Sequence, residues 1–139
     1  MGVFAQLHPF GDWGLLALRL AVGIIFLVHG LQKLPMWKMS PSAQMSERML
    51  FIVRFLSITE SLGAVAVMTG FLTQLASAGL AIIMVGAIWL KALVMKESFT
   101  NAKEHKAGWE FALILLAASL GLFFLGAGNF ALDRVLFGI

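Results

Sequence analysis

The sequence contains no cysteine and few charged residues. The absence of cysteine excludes disulfides, iron–sulfur ligation, thiolate zinc sites and any persulfide carried on this chain. Only 12% of the 139 residues are charged and 60% are hydrophobic, whereas a soluble domain has about 25% charged residues. A soluble domain of this size could not bury so much apolar surface, and a disordered chain needs the opposite composition. The composition therefore predicts an integral membrane protein.

Four apolar stretches are long enough to cross a bilayer, which requires about 20 predominantly apolar residues. They cover residues 14–34, 50–72, 74–95 and 108–128. Because they use most of the chain, we expect one domain over residues 1–139 and an all-α fold, an integral membrane antiparallel four-helix bundle. Each stretch also carries two glycines seven residues apart, a spacing that lets neighbouring helix backbones approach closely. These pairs are Gly23/Gly30, Gly63/Gly70, Gly79/Gly86 and Gly121/Gly128.

Lysine and arginine are concentrated at the two long loops between these stretches. This group is Lys33, Lys38, Arg48, Lys96, Lys103 and Lys106, whereas the opposite end has only Arg19 and Arg134. The positive-inside rule therefore predicts that the long loops are cytoplasmic and that both termini lie outside. The net charge of +3 belongs to these loops and forms no patch shaped for nucleic acid. The N-terminus lacks the basic region of a signal peptide, so we expect the first helix to be retained.

Several ionisable side chains lie within the predicted helices, where charge is costly and each is therefore a functional hypothesis. They are Arg19, His29, Arg54, Glu60, Lys91 and Glu110, with Lys33 at a helix end. At 1.5 Å per residue, Glu60 lies near the midplane, about 15 Å from either end of its helix. A carboxylate at that depth must be protonated or paired with a cation. We expect Arg19 to be the partner, because the two depths differ by about one arginine side-chain length.

Glu60 has three open interpretations: an ion pair that fixes helix register, a proton-accepting group in a ligand pocket, or a neutral acid facing lipid. His29 and Lys33 are four residues apart and share a helix face. We expect Lys33 to extend its ammonium to the lipid headgroups. His29 lies deeper, and its imidazole suits either proton exchange with the polar head of a bound ligand or a structural hydrogen bond.

The remaining intramembrane groups are less specific. Arg54 and Lys91 could extend toward the headgroups or neutralise Glu110. A haem is disfavoured, because His29 has no second intramembrane histidine to complete a pair of ligands. There is also no glycine-rich phosphate loop, no Ser/His/Asp order and no metal-ligand cluster, so we expect no metal. The sequence predicts a pocket between apolar helices, with a few polar side chains in its lining.

The first helix reads Arg19-Leu-Ala-Val-Gly23-Ile-Ile-Phe26-Leu-Val-His29-Gly30-Leu-Gln-Lys33. This segment resembles the opening of the DoxX family. The resemblance continues at Glu60-Ser-Leu-Gly63-Ala, Gly70-Phe-Leu-Thr73, Met84…Ala87 and Gly108-Trp109-Glu110-Phe, and closes with Gly126-Ala-Gly128-Asn-Phe-Ala-Leu132-Asp133. It spans nearly the whole chain in order. Gln74 departs from the arginine usual at its position, which weakens the case for an anion held at that turn.

The resemblance implies a multi-pass subunit in the plasma membrane of bacterial type, associated with oxidoreductase complexes and accessory to them. It points to quinones and to soluble or membrane redox partner proteins. We therefore expect no covalent cofactor and a quinone bound non-covalently. The candidates for ligand binding and proton exchange are Arg19, His29, Glu60, Lys91 and Glu110, with Lys33, Arg54 and Asp133 as structural or secondary candidates.

Two alternatives belong to other functional classes. One is a small proton-coupled transporter or channel that uses Glu60. The other is a membrane scaffold that recruits soluble partners through the loops at residues 35–49 and 96–107. Four helices enclose little volume, so a homo-oligomer that shares a pocket is compatible with each of these hypotheses.

Overall fold

The structure is a computed structural model of the chain, and it describes residues 9–43, 45–100 and 107–138. Apart from an isolated bridge between Ser42 and Met45, the regular structure in these residues is helical. The helices are α1 (Gly11–Gln32), α2 (Glu47–Thr69), α3 (Thr73–Trp89), α4 (Glu110–Leu125) and α5 (Leu132–Phe137). A 3-10 helix (Leu34–Lys38) follows α1, and a π-helical turn (Leu90–Val94) continues α3. Lys103 and Lys106, two of the cations used to predict orientation, lie outside the described residues.

Three helical segments are long and apolar enough to cross a membrane. They are Gly11–Lys38, Glu47–Thr69 and Thr73–Val94. At most 28% of the apolar window in each segment is buried inside the chain, so most of their apolar side chains face outward. The fourth predicted span contains α4, which is apolar but has only 16 residues. It is about 24 Å long at 1.5 Å per residue, and it ends at Gly126, whose φ is 80°.

Glycines let α1 lie close to α2. A Cβ on Gly23 would lie 3.0 Å from the Ala64 carbonyl oxygen, and one on Gly30 would lie 3.1 Å from that of Ser57. Residues later in α1 therefore contact residues earlier in α2. The most extensive helix contacts are between α1 and α2 and between α3 and α4.

The helices α1 to α4 share one buried core. Its residues are Val22, Phe26, Ala64, Val67, Leu80, Met84, Ala112, Leu115 and Leu122. We call the end of the helices at residues 70–72 and 126–131 the turn end. We call the other end, at residues 33–43, 45–46, 95–100 and 107–109, the loop end. Ala64, Val67, Leu80 and Leu122 lie in the half of the helices nearer the turn end, and Phe26, Met84, Ala112 and Leu115 lie in the half nearer the loop end.

A tight turn at residues 70–72 connects α2 to α3. Gly70 has a left-handed φ of 73°. Its N–H donates to the Val67 carbonyl at 3.2 Å, and the Phe71 N–H donates to the Ala66 carbonyl at 2.9 Å. This pair of bonds is the Schellman arrangement, which satisfies carbonyls at a helix C-terminus and favours glycine at the left-handed position. The turn predicted at this position from the sequence therefore depends on Gly70.

We expect Gly70→Ala to destabilise the protein by about 1–3 kcal/mol from its left-handed backbone alone. The added methyl would also lie 2.8 Å from the Ala131 Cα and 2.9 Å from an Arg19 nitrogen. The control is Gly79→Ala, because a Cβ there meets nothing within 4 Å. Melting temperatures in mild detergent check this, and equal values for the two variants would contradict the role assigned to Gly70.

Candidate functional site

Arg19 joins three parts of the chain at the turn end. Its side chain is buried, with 1% exposure. Its Nε donates to the Val67 carbonyl at 3.0 Å and one terminal nitrogen donates to the Met68 carbonyl at 3.0 Å. The other terminal nitrogen donates to the carbonyls of Ala127 at 2.6 Å and Phe130 at 2.9 Å. The last carbonyls of a helix have no partner within the helix, so Arg19 satisfies the end of α2 and binds the segment after α4 to it.

Asp133 performs the complementary role at the start of α3. Its carboxylate accepts hydrogen bonds from the backbone N–H groups of Leu72 at 2.6 Å and Thr73 at 2.9 Å. Its own N–H donates to the Gly70 carbonyl at 2.8 Å. Leu72 occupies the N-cap position of α3 and has no polar side chain to cap the helix. Asp133 supplies that cap from α5, and its negative charge is favourable at a helix N-terminus.

A third polar contact holds α1 at the turn end. The Asp12 carboxylate accepts hydrogen bonds from the Asn129 backbone N–H at 2.9 Å and from its side-chain amide at 2.6 Å. We call Arg19, Asp133 and the Asp12–Asn129 pair the turn-end network. Sequence reasoning singled out Arg19 and Asp133 but missed the Asp12–Asn129 pair. An acid in the first turn of α1 was the only signal for it.

The partner of Glu60 is Lys33, so the predicted pairing of Glu60 with Arg19 is wrong. The Lys33 Nζ donates to the Glu60 Oε2 as an ion pair. Helical side chains tilt toward the N-terminus of their own helix. Arg19 therefore points to the turn end, whereas Glu60 points along α2 to the loop end, and the two groups diverge.

The expectation that Lys33 extends to the headgroups is also wrong. Lys33 follows the last turn of α1, and the same tilt directs its side chain back toward the middle of the helices. Its side chain is 24% exposed and that of Glu60 is 4% exposed. The ammonium thus lies between the surface and a buried carboxylate, and each charge neutralises the other.

A cavity of about 670 Å³ lies beside this ion pair. Its ionisable lining residues are His29 of α1, Lys33 directly after α1, Glu60 of α2 and Lys91 of the π-helical turn. The rest of its lining is predominantly apolar and includes residues of α4. Three of the predicted candidates, His29, Glu60 and Lys91, therefore share one cavity, and Lys33 joins them.

His29 and Lys91 lie at more exposed parts of the cavity wall. The His29 ring is 5.8 Å from the Phe111 ring, centroid to centroid, and inclined by 45° to it. Lys91 belongs to the π-helical turn, and such turns occur frequently at functional sites. Its Nζ lies 3.4 Å from the Glu97 carboxylate and 3.5 Å from the Ala107 carbonyl oxygen. The sequence reasoning did not single out Glu97.

The structure places Glu110 and Arg54 away from this cavity. Glu110 lines a separate space of about 610 Å³ with Phe99, Ala107 and Phe111. Arg54 donates to the Met39 carbonyl at 2.8 Å and so fastens the segment after α1 to α2. Of the two roles left open for Arg54 and Lys91, neutralising Glu110 is not observed among the described residues. Of the ionisable side chains discussed above, His29, Lys33, Glu60 and Lys91 therefore line the cavity.

We expect Arg19→Lys to destabilise the protein by about 3 kcal/mol or more. A hydrogen bond to a charged group contributes about 1.5–3 kcal/mol, and a lysine cannot reproduce the planar set of donors that reaches four carbonyls. Arg134→Lys is the control, since Arg134 is exposed and bonds only to the nearby Gly138 carbonyl among the described residues. Unfolding in a titration with sodium dodecyl sulfate measures both. Similar losses in the two variants would show that the turn-end network does not depend on Arg19.

We expect Lys33→Met and Glu60→Gln each to destabilise the protein by about 3 kcal/mol, because each leaves a charge or polar group without its partner. The double variant should lose less than the sum, with a coupling energy of about 1–3 kcal/mol. The matched control is the cycle of Lys91→Met and Glu97→Gln, a half-exposed pair with an expected coupling below about 1 kcal/mol. The same unfolding titration applies, and additive losses at Lys33 and Glu60 would contradict the ion pair.

Comparison with known proteins places this arrangement in a family. The family model for DoxX matches residues 14–92, which is more than half of the chain. The match contains both residues of the Lys33–Glu60 ion pair, together with Arg19, His29 and Lys91. No curated protein and no solved structure shows a significant match. Together with the long apolar helices, the match identifies an integral membrane protein and confirms the resemblance noted in the sequence: the chain belongs to the DoxX family.

Proposed function

We propose that this protein is a membrane subunit of a redox complex and binds a quinone, or a similar apolar ligand with a carbonyl-bearing head, in the cavity beside Lys33 and Glu60. The observation that carries the proposal is an ion pair in the wall of a predominantly apolar space. Its volume of about 670 Å³ falls within the range of about 300–1,000 Å³ that is typical of ligand pockets. Such pockets combine apolar walls with a few polar groups that orient the ligand.

The lysine of the ion pair retains hydrogen-bonding capacity for a ligand. An ammonium has three N–H donors, and Glu60 is the one acceptor for Lys33 among the described residues. A bound quinone would supply carbonyl oxygens, which accept hydrogen bonds and take up protons on reduction. Lys33 and the His29 imidazole would donate to those oxygens, and Glu60 would compensate the lysine charge. The electrons would come from a partner redox protein.

The position of the cavity favours a binding site over a pathway across the membrane. Among the described residues, its lining is confined to the middle and loop end of the helices. Toward the turn end the same space is filled by core residues that include Val22, Ala64 and Leu122. A solute that moved from the cavity toward the turn end would therefore meet this packed core. Transport across the membrane would require the core to open.

We also propose the finer arrangement in the membrane. Residues 1–139 would form one domain in which α1 to α4 cross the bilayer as an antiparallel four-helix bundle. The contacts of α4 along α3 support its role as the fourth span. The charge bias would place the long loops in the cytoplasm and both termini outside a plasma membrane of bacterial type. Soluble redox partners would then approach at the loop end, and a second copy could cover the exposed apolar faces.

Quinone binding can be measured directly, because Trp89 lines the cavity and its fluorescence reports a bound quinone. We expect the double variant Lys33→Met/Glu60→Gln to bind a short-chain quinone about tenfold or more weakly. Hydrogen bonds to charged groups contribute about 1.5–3 kcal/mol, and 1.4 kcal/mol corresponds to tenfold in affinity. The double variant leaves no unpaired charge, so it is the variant best able to fold.

The matched control is Lys38→Met/Glu47→Gln, which makes the same chemical changes at exposed positions outside the cavity. It should bind the quinone as the unmodified protein does. Lipid extraction of the purified protein, followed by chromatography, provides a second readout. The proposal is contradicted if no quinone co-purifies and the unmodified protein shows no saturable quenching.

A further inference from the structure

The cavity has exposed apolar residues along one side. On α2 these are Met49 and Ile52, and on α3 and the turn after it they include Ile82, Gly86 and Trp89. Ile82 is 72% exposed and Trp89 is 58% exposed, although both also line the cavity. Lining residues from α4, such as Ala112 and Leu115, are instead buried. The cavity is therefore open on its side between α2 and α3.

The packing of α2 and α3 explains the opening. Near the turn end the two helices touch, since a Cβ on Gly63 would lie 3.0 Å from a methyl carbon of Leu80. Farther along, at Ile52 and Gly86, the cavity lies between them. Gly86 has no Cβ, and one built there would meet nothing within 4 Å. The absent side chain at Gly86 thus keeps the space between the helices clear.

The depth of the opening determines what it faces. At 1.5 Å per residue, Gly86 lies about 20 Å along α3 from Thr73, and Ile52 lies about 26 Å along α2 from Thr69. Both distances are shorter than the hydrocarbon core of a bilayer, which is about 30 Å thick. The opening therefore faces lipid chains, and the Trp89 indole N–H is the one side-chain N–H or O–H donor among the wall residues named above.

We infer that the cavity is entered sideways from the bilayer, and that its ligand carries a long apolar tail that leaves between α2 and α3 at Gly86. This inference rests on the proposed function and specifies the ligand class. The head would lie against Lys33 and Glu60, which form the buried polar wall, and the tail would contact Ile82 and Trp89. An apolar tail fits this opening because it remains in hydrocarbon along its whole length. A water-soluble ligand that used this opening would first have to cross hydrocarbon.

The test compares Gly86→Leu with Gly79→Leu. Both glycines are exposed on α3 and have nothing within 4 Å of a built Cβ, but only Gly86 lines the cavity. The probes are a benzoquinone with a decyl tail and the same head without a tail, titrated against the full chain by tryptophan fluorescence. Gly86→Leu should weaken binding of the tailed probe by about tenfold or more, since added methylene groups in a filled site have effects of this size. Binding of the tailless probe should change much less, and Gly79→Leu should change neither.

A second pair of variants tests the same inference if Gly86→Leu does not fold. Ile82→Trp enlarges an exposed wall residue of the opening, and Leu75→Trp is its control, because Leu75 is 70% exposed on α3 and lies outside the cavity lining. Ile82→Trp should weaken binding of the tailed probe more than binding of the tailless probe. Equal effects of Ile82→Trp and Leu75→Trp, or of Gly86→Leu and Gly79→Leu, would overturn the inference.

The outcomes separate this inference from the proposed function. If neither probe binds the unmodified protein, the proposed function fails and the inference fails with it. If both probes bind but no variant distinguishes the tailed from the tailless one, quinone binding stands and the sideways exit is wrong. If phospholipid alone is extracted and fills the cavity in place of the tailed probe, the assignment to a quinone tail is overturned.

Discussion

The hydrocarbon core of a membrane offers no hydrogen-bond partners, so every polar group placed in it must be satisfied from within the protein. Arg19 meets this requirement through four backbone carbonyls, two at the end of α2 and two in the segment after α4. The other features of the turn end depend on that arrangement. Gly70 must remain without a side chain because its φ is left-handed and because a Cβ there would meet Ala131 and the guanidinium. Asp133 reaches the start of α3 because the segment that precedes it is held by Arg19.

The consequence of a fixed turn end is a difference between the two ends of the molecule. At the turn end, charged groups bond to backbone, helices touch, and the core is packed. At the loop end, α2 and α3 separate around a cavity, and Lys33 and Lys91 pair with carboxylates. A charge held by backbone carbonyls has fixed partners. A charge held by one carboxylate, as Lys33 is, can take a ligand as a second partner. The chemistry that the molecule can offer is therefore at the loop end.

Much of this could be predicted from the sequence, and the failures have identifiable causes. Composition and the length of the apolar runs were sufficient for three spans, and depth alone indicated that Glu60 must be protonated or paired with a cation. The partner was missed because depth takes no account of side-chain direction, which turns Arg19 and Glu60 apart. Depth also takes no account of competing acceptors. Arg19 donates to the carbonyls of Ala127 and Phe130, which are distant from it in the sequence. The predicted fourth span ends at residue 128, whereas α4 ends at Leu125, because Gly126 already leaves the helical conformation.

The glycine pairs show why the cavity could not be predicted from any one helix. The same seven-residue spacing serves different purposes in α1 and α3. Gly23 and Gly30 fit against α2 and bring two backbones together. Gly79 and Gly86 meet nothing, and Gly86 widens a space whose other walls belong to three further helices. A glycine removes a side chain, and whether a neighbouring helix or a ligand fills the gap depends on where the adjacent helices are held. Here the turn-end network holds them, so the packing at one end of the helices determines the space available at the other.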